Sequence, residues 1–499
     1  MELDSVPATH SDFIAGRFCS PQCPEGELHH CSPADRTRHL AQIPFSRAQV
    51  DSALDSARSA LRAWSQLGSD ERASYLHAYQ QALIRNQEEL AATIAWEVGK
   101  PLWEAKTEVA AMVQKVDLCL GPGATYTATT TIDSLPGEIR YRPLGLVAVI
   151  GPYNFPGHLP NGQVVPALFT GNCVLFKPSE LTPLTGRLMA RCYEEAKLPK
   201  GVFNLVQGDS TVGAHLTTHP NLDGILFTGS ARVGQQILTA NVHKLDRIVA
   251  LELGGKNAAV ALDDCDVERT ARMIVQSAFI TSGQRCTCTS RLIVTRGVAD
   301  VLCDTIVALA AKLRVGHPMD ESVFMGPVIN DATALRLANA VKKARAGGYA
   351  TLLAGGSIPQ PPAPGSYLAP SIHRIDDRNA PPVPGYTDEE LFAPDLAIQV
   401  VDDAQAACTL TNRSQYGLSA SVFCATRAQF ETIAQELRVG VVHWNRPGAG
   451  ASGRLPFGGV KSSGNHRSAG ILTGLTCTYP QAVLLDNALP LPRLPGFDS

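Results

Sequence analysis

Three short islands carry side chains that could do chemistry: GPYNFPGHLPNG at 151–162, LELGGKN at 251–257 and SGQRCTCTS at 282–290. They supply an amide at Asn154, a carboxylate at Glu252 and two thiols at Cys286 and Cys288. A thiolate adds to a carbonyl carbon, a carboxylate takes a proton from an attacking water, and an amide donates to an oxyanion without being deprotonated. Taken singly, none is diagnostic. Most cysteines in reduced proteins are buried and inert, a lone glutamate is ordinarily solvated, and an asparagine among prolines is ordinarily a turn former. Cys286 and Cys288 form a C-x-C with no second pair at ligand spacing, so no metal site is expected.

Read in order with KPSE (177–180), FTGSARVG (227–234), EELFAP (389–394) and PFGG (456–459), the three islands resemble the aldehyde dehydrogenase superfamily. The likeness runs from about residue 12 to about residue 480. It implies an enzyme that oxidises an aldehyde to a carboxylate with NAD, through a thioester on the nucleophile Cys286, with Glu252 as general base. Asn154 and the Cys286 N–H are then the oxyanion donors. No G-x-G-x-x-G is present; Gly229, Ser230 and Gly234 instead follow the strand-like ILFT. By resemblance the helix opening there meets the pyrophosphate, as helix N-termini bind anions. Lys177 and Glu180 are implied to contact the adenosine ribose, and a carboxylate there repels a 2′-phosphate, which favours NAD over NADP. Glu390 and Phe392 match the residues that hold the nicotinamide ribose and ring. Tyr153 stands where the family usually has tryptophan, and Ala393 where it usually has glycine.

Several phrases, among them GPYNFPGHLPNG, GQRCTC and SGNHR, are similar to a subfamily whose substrate is a semialdehyde carrying two carboxylates. Such a substrate calls for a basic pocket mouth. Arg285, Arg454 and Arg467 are the candidates, because arginine binds carboxylates bidentately. GGKN in place of GGNN, and HWNRPGAGASGRLPFGG in the expected substrate loop, depart from that subfamily. A helix ending near Gly283 would set its negative end by Cys286 and disfavour the thiolate, leaving activation to Glu252 or the cofactor.

The surrounding elements must bring these side chains together. Val50, Leu54, Ala57, Leu61, Trp64 and Leu67 recur at helical spacing, and a second helical pattern runs from about Glu71 to Val98. Beyond Tyr141, short apolar runs (GLVAVIG, GNCVLFK, GVFNLVQG, DGILFTG) alternate with helical segments, the mark of βαβ units and a parallel sheet. A second such series follows Glu252, with a helix over Val267–Phe279, the strand RLIVT and a helix through VLCDTIVALAAKL. SIPQPPAPGSYLAP reads as an exposed loop. The expected class is α/β, with a Rossmann-type NAD domain over 1–123 and 143–252, a catalytic α/β domain over 253–445, and a bridging hairpin from 124–142 with 473–489. Threonine-rich TYTATTTID suits an edge strand, and in the resembled family such hairpins pair subunits, so a homodimer or homotetramer is expected.

Composition removes other classes. With 43 basic and 46 acidic residues interspersed over 499, no nucleic-acid footprint appears. No run approaches the roughly 18 apolar residues of a membrane span, and MELDSVPATH lacks the basic and apolar pattern of an export signal. Thirteen cysteines then read as reduced thiols in a cytoplasmic protein. Two rivals stay in view: a CoA-acylating dehydrogenase, which would not need a base at position 252, and a non-catalytic NAD-binding protein, for which Cys286, Glu252 and Asn154 need not have been intact.

Overall fold

The computed structural model of the chain describes residues 11–132, 136–355, 361–375, 385–485 and 495–496. Four strands come first: β1 (Asp12–Ile14), β2 (Arg17–Cys19), β3 (Gly26–Cys31) and β4 (His39–Phe45). Helices α1 (Ala48–Gln66), α2 (Ser69–Arg85), α3 (Gln87–Val98) and α4 (Leu102–Leu118) follow. The single helical pattern expected from Glu71 to Val98 is thus two helices. The chain turns at Asn86, whose side-chain amide donates to the Ala82 carbonyl at 2.8 Å and to Glu195 at 3.0 Å.

After β5 (Thr130–Ile132) and β6 (Gly137–Pro143) comes the alternating series: β7 (Leu146–Ile150), α5 (His158–Phe169), β8 (Cys173–Lys177), α6 (Pro183–Glu195), β9 (Phe203–Leu205), α7 (Ser210–Thr218), β10 (Gly224–Thr228), α8 (Ala231–Ala240) and β11 (Ile248–Glu252). These strands are short and nearly all apolar because helices cover both faces, so the alternation of a half-exposed strand is missing. Their order in one seven-stranded sheet is β11-β10-β7-β8-β9-β1-β2, and β7 to β11 are parallel. Between β7 and β10 the connection reverses direction. In open parallel sheets ligands bind at that switch point, outside the carboxyl ends of the strands. The loops after Ile150, Lys177, Thr228 and Glu252 all leave those ends.

A second seven-stranded sheet starts with β12 (Asn257–Ala261). Helix α9 (Val267–Phe279), β13 (Thr289–Thr295), α10 (Arg296–Ala310), β14 (Ala350–Ala354), β15 (Ser371–Ile375) and β16 (Asp395–Val401) continue it, and Ser419–Phe423 and Val441–Trp444 complete it. Only the β14–β15 pair is antiparallel. Helix α9 ends at Phe279, four residues before Gly283, and Thr281 and Ser282 take left-handed φ of 54°. The helix end inferred beside Cys286 is therefore replaced by a tight turn.

Residues 478–484 pair with β6, and β6 with β5, in a three-stranded sheet. Only Thr130–Ile132 of TYTATTTID is strand, because 124–127 coil into a helical turn, as do 473–476; Asp133 and 486–489 lie outside the described residues. The proline-rich segment contains neither helix nor strand over 361–370, and 357–360 also lie outside.

Candidate active site

Asn154 sits in the loop between β7 and α5, whose helix begins at His158. It is buried, and its side-chain amide donates to the main-chain carbonyl of Gln284 at 2.8 Å. That carbonyl is two residues before Cys286. An amide nitrogen carries two hydrogens, so one remains for an incoming oxygen. Cys286 is held from behind: Asn257 at the start of β12 donates from its side chain to the carbonyls of Cys286 (2.7 Å) and Cys288 (2.9 Å). Burial pushes the half-buried Cys286 thiol well above its ordinary value, and the carboxylates of Glu390 and Glu252 push the same way against Arg285.

Glu252 ends β11. One carboxylate oxygen accepts from the Ser468 hydroxyl at 3.4 Å, and the other is buried without a hydrogen-bond partner among the described residues. Burial raises it to about 8, opposed by Ser468 and Arg467. A buried oxygen left without a donor costs free energy unless a water or substrate supplies one. Space beside it is kept by Gly458 of PFGG, where a Cβ would lie 3.0 Å from Glu252 Oε1 and 2.7 Å from Arg467 Cα. Asn154 thus meets the backbone two residues before Cys286, and Glu252 is near enough for its charge to act on the Cys286 thiol, although the three lie in distant parts of the chain.

Among the expected cofactor residues, Gly229 donates its N–H to the Glu252 carbonyl at 3.1 Å. Ser230 caps α8 by accepting from Val233 N–H at 3.4 Å, and Gly234 lets α8 pack where a Cβ would lie 2.7 Å from Leu253. The ten-residue α8 therefore presents its N-terminus at the switch point, with Ser230 exposed. Lys177 ends β8, buried, its ammonium 3.1 Å from the Pro178 carbonyl; Glu180 is exposed in the following turn. Glu390 accepts from the Gly255 N–H at 2.9 Å, and burial raises its carboxyl to about 7. A Cβ at Gly254 would lie 1.8 Å from Glu390 Oε2 and one at Gly255 2.8 Å from the Cys286 carbonyl oxygen, so both positions after Leu253 are glycine. Phe392, at φ 53°, meets Tyr153 edge to face with centroids 5.9 Å apart. The loop with Ala393 packs directly on the segment that carries Cys286, since a Cβ at Gly283 would lie 2.3 Å from the Ala393 carbonyl oxygen.

The three arginines separate. Arg454 and Arg467 are exposed, Arg454 on the 445–455 loop, which docks on the nucleophile segment through Gly450 N–H to Thr287 Oγ1 at 3.0 Å. Arg285 turns inward: it pairs with buried Glu104 at 2.7 Å, bonds Thr281 Oγ1 at 2.7 Å, and lies 4.9 Å from the Phe155 ring centroid. Its charge is already matched, which corrects the expectation of a cation held open for substrate. Sequence reasoning missed Lys100, Glu104 and Glu108, which support these loops. It also missed His158, whose ring lies near Lys100, Lys115 and Arg285 and whose Nδ1 is buried without a partner among the described residues.

The aldehyde dehydrogenase family model matches residues 21–483. The chain is 42% identical over 493 residues, 97% of its length, to N-succinylglutamate 5-semialdehyde dehydrogenase of Ectopseudomonas mendocina, covering 98% of that protein. Among solved structures, an NAD-dependent aldehyde dehydrogenase from Sinorhizobium meliloti superposes with TM-score 0.91 at 29% identity, over 97% of this chain and 96% of that one. An NADP-dependent glyceraldehyde-3-phosphate dehydrogenase from Bacillus halodurans, complexed with NADP, superposes with TM-score 0.88 at 33% identity, over 96% and 100%. The chain belongs to the aldehyde dehydrogenase family. Among the described residues no helix is long and apolar enough to cross a membrane.

Proposed function

We propose that this chain oxidises N-succinyl-L-glutamate 5-semialdehyde to N-succinyl-L-glutamate with NAD, as in arginine catabolism, through a thioester on Cys286. The observation that carries the chemistry is the Asn154 amide fixed to the Gln284 carbonyl at 2.8 Å, beside a thiol and a carboxyl with an unpartnered oxygen. The near-complete likeness to the Ectopseudomonas mendocina enzyme supports the substrate.

Glu252 takes the Cys286 thiol proton and passes it to solvent as the sulfur bonds to the aldehyde carbon. The charge that develops on the substrate oxygen is held by the free hydrogen of the Asn154 amide and the Cys286 N–H. Bound NAD would supply the acceptor for the hydride that leaves that carbon, which turns the Cys286 adduct into a thioester. Glu252 then takes a proton from water through its unpartnered oxygen, the water oxygen bonds to the thioester carbon, and the carbon–sulfur bond breaks. Glu252 returns that proton to the departing sulfur, and the product leaves as a carboxylate, its acid proton going to solvent.

The residues fit a dinucleotide. The exposed N-terminus of α8 suits a pyrophosphate, Lys177 and Glu180 suit an adenosine ribose, and Glu390 with Phe392 suit the nicotinamide end. The carboxylate of Glu180 favours NAD over NADP. We assign 1–123 with 143–252 to the NAD-binding domain, 253–445 to the catalytic domain, and 124–142 with 473–489 to subunit pairing; the two seven-stranded sheets and the three-stranded sheet support this division. Exposed Leu238, Val242 and Leu245, the last 97% exposed, and Tyr479 and Leu484 on the three-stranded sheet support a homodimer or homotetramer. Thirteen free thiols support the cytoplasm. Exposed Arg454 and Arg467 are the candidates for the substrate's two carboxylates.

NADH formation with succinylglutamate, glutamate and succinate semialdehydes and simple aliphatic aldehydes tests the substrate. The succinylglutamate compound is expected to give the highest kcat/KM, and a higher value for an aliphatic aldehyde would refute it.

A further inference from the structure

Lys100 follows Gly99, which closes α3 at φ 81° in a turn where a Cβ would lie 2.6 Å from Pro327. Its side chain is fully buried. The ammonium donates to Glu108 at 2.8 Å and to the main-chain carbonyl of Asn154 at 2.6 Å, and lies 3.6 Å from the Phe155 ring centroid. The other Glu108 oxygen accepts the N–H groups of Gly157 (2.9 Å) and His158 (3.0 Å). One ion pair therefore grips both ends of the 154–158 loop. Four residues earlier on the same face of α4, Glu104 takes Arg285 and the Thr281 hydroxyl, so a single helix face holds the oxyanion loop and the nucleophile segment together.

A buried ion pair adds little net stability over well-packed apolar residues, because desolvation offsets its attraction. Its contribution here is register. On the reading above, in which Asn154 donates to the oxyanion, we infer that Lys100 is a positioning residue for the Asn154 amide, acting through its carbonyl and completed by Glu108. Lys100 touches neither substrate nor cofactor. Its removal leaves every reacting group present and lets the amide drift from the oxygen it must meet.

A double-mutant cycle on the single-turnover rate of NADH formation tests this, using wild type, Lys100→Met, Asn154→Ala and the double variant of the full chain. Losing an oxyanion donor slows such steps by roughly 10²–10³-fold, which is the effect expected of Asn154→Ala. A displacement of about 1 Å costs on the order of 10²-fold, the upper bound expected of Lys100→Met. In the Asn154→Ala background the second change is expected to cost little, since the amide that Lys100 positions is gone. NAD affinity, read by fluorescence quenching, should be unchanged throughout. If Lys100→Met slows the Asn154→Ala enzyme by the same factor as wild type, the inference is overturned while the reading of Asn154 stands. If Asn154→Ala alone leaves the rate intact, that reading falls and takes the inference with it. Should Lys100→Met fail to fold, Glu108→Gln, which keeps size and one acceptor, runs through the same cycle with the same two outcomes.

Discussion

The main-chain N–H of Gly229 donates to the main-chain carbonyl of Glu252 at 3.1 Å, tying the loop that opens α8 to the strand end that carries the carboxyl. Because both leave the carboxyl edge of one parallel sheet, the proposed pyrophosphate site and the proposed base are tied to one rigid frame. Gly234, one turn into α8, allows this approach, since a Cβ there would lie 2.7 Å from Leu253. Gly234→Val should lift α8 and raise the NAD KM more than the aldehyde KM; equal changes in both would count against α8 as the pyrophosphate site.

The elevated Glu252 carboxyl gives a pH dependence. Raised to about 8 by burial, it is mostly protonated at neutral pH and cannot accept a proton from water. Thioester hydrolysis should therefore rise with pH through about 8 and level off above it. Stopped-flow decay of a preformed thioester against pH checks this, and a flat profile between pH 6 and about 9 would exclude Glu252 as the base.

Gly283 at φ 70° faces the Ala393 carbonyl so closely that a Cβ would stand 2.3 Å from its oxygen. Backbone on both sides leaves no flexible side chain to yield. Gly283→Ala is expected to cost about 1–3 kcal/mol, seen as a lowered melting temperature, and to slow acylation by shifting Cys286. A variant with wild-type melting and rate would show that the two segments are not rigidly apposed.

Glu180 is exposed in the turn after β8, where a 2′-phosphate would meet its charge. Glu180→Gln should raise kcat/KM with NADP relative to NAD on the order of tenfold, equivalent to about 1.4 kcal/mol. An unchanged ratio would place the coenzyme preference elsewhere.

The strands at GLVAVIG, GNCVLFK, GVFNLVQG and DGILFTG were legible because strands covered on both faces read as continuous apolar runs. Resemblance to the aldehyde dehydrogenase motifs, not composition or periodicity, singles out Asn154, Glu252 and Cys286. Lys100, Glu104 and Glu108 were not legible, since charges at i and i+4 on a helix ordinarily mark a solvated face, and only tertiary placement turns this one inward. The strands β1 to β4 were missed for another reason: DFI and RFC are three residues each, and GELHHC and HLAQIPF pair only with each other in a two-stranded hairpin, so none of them reads as a continuous apolar run. The left-handed turn at Thr281 and Ser282 gave no signal, because neither residue type favours that conformation. Arg285 reads in the sequence as a cation for the substrate's carboxylates because its partner Glu104 lies on α4, remote in sequence.

The central claim is a covalent acyl intermediate on one sulfur, released by one carboxyl. Mixing Glu252→Gln with NAD and aldehyde and following intact mass tests it most directly. A single burst of NADH should accompany a mass gain equal to the acyl group, mapping to the peptide with Cys286 and absent in Cys286→Ser. Steady turnover without that adduct would contradict the account.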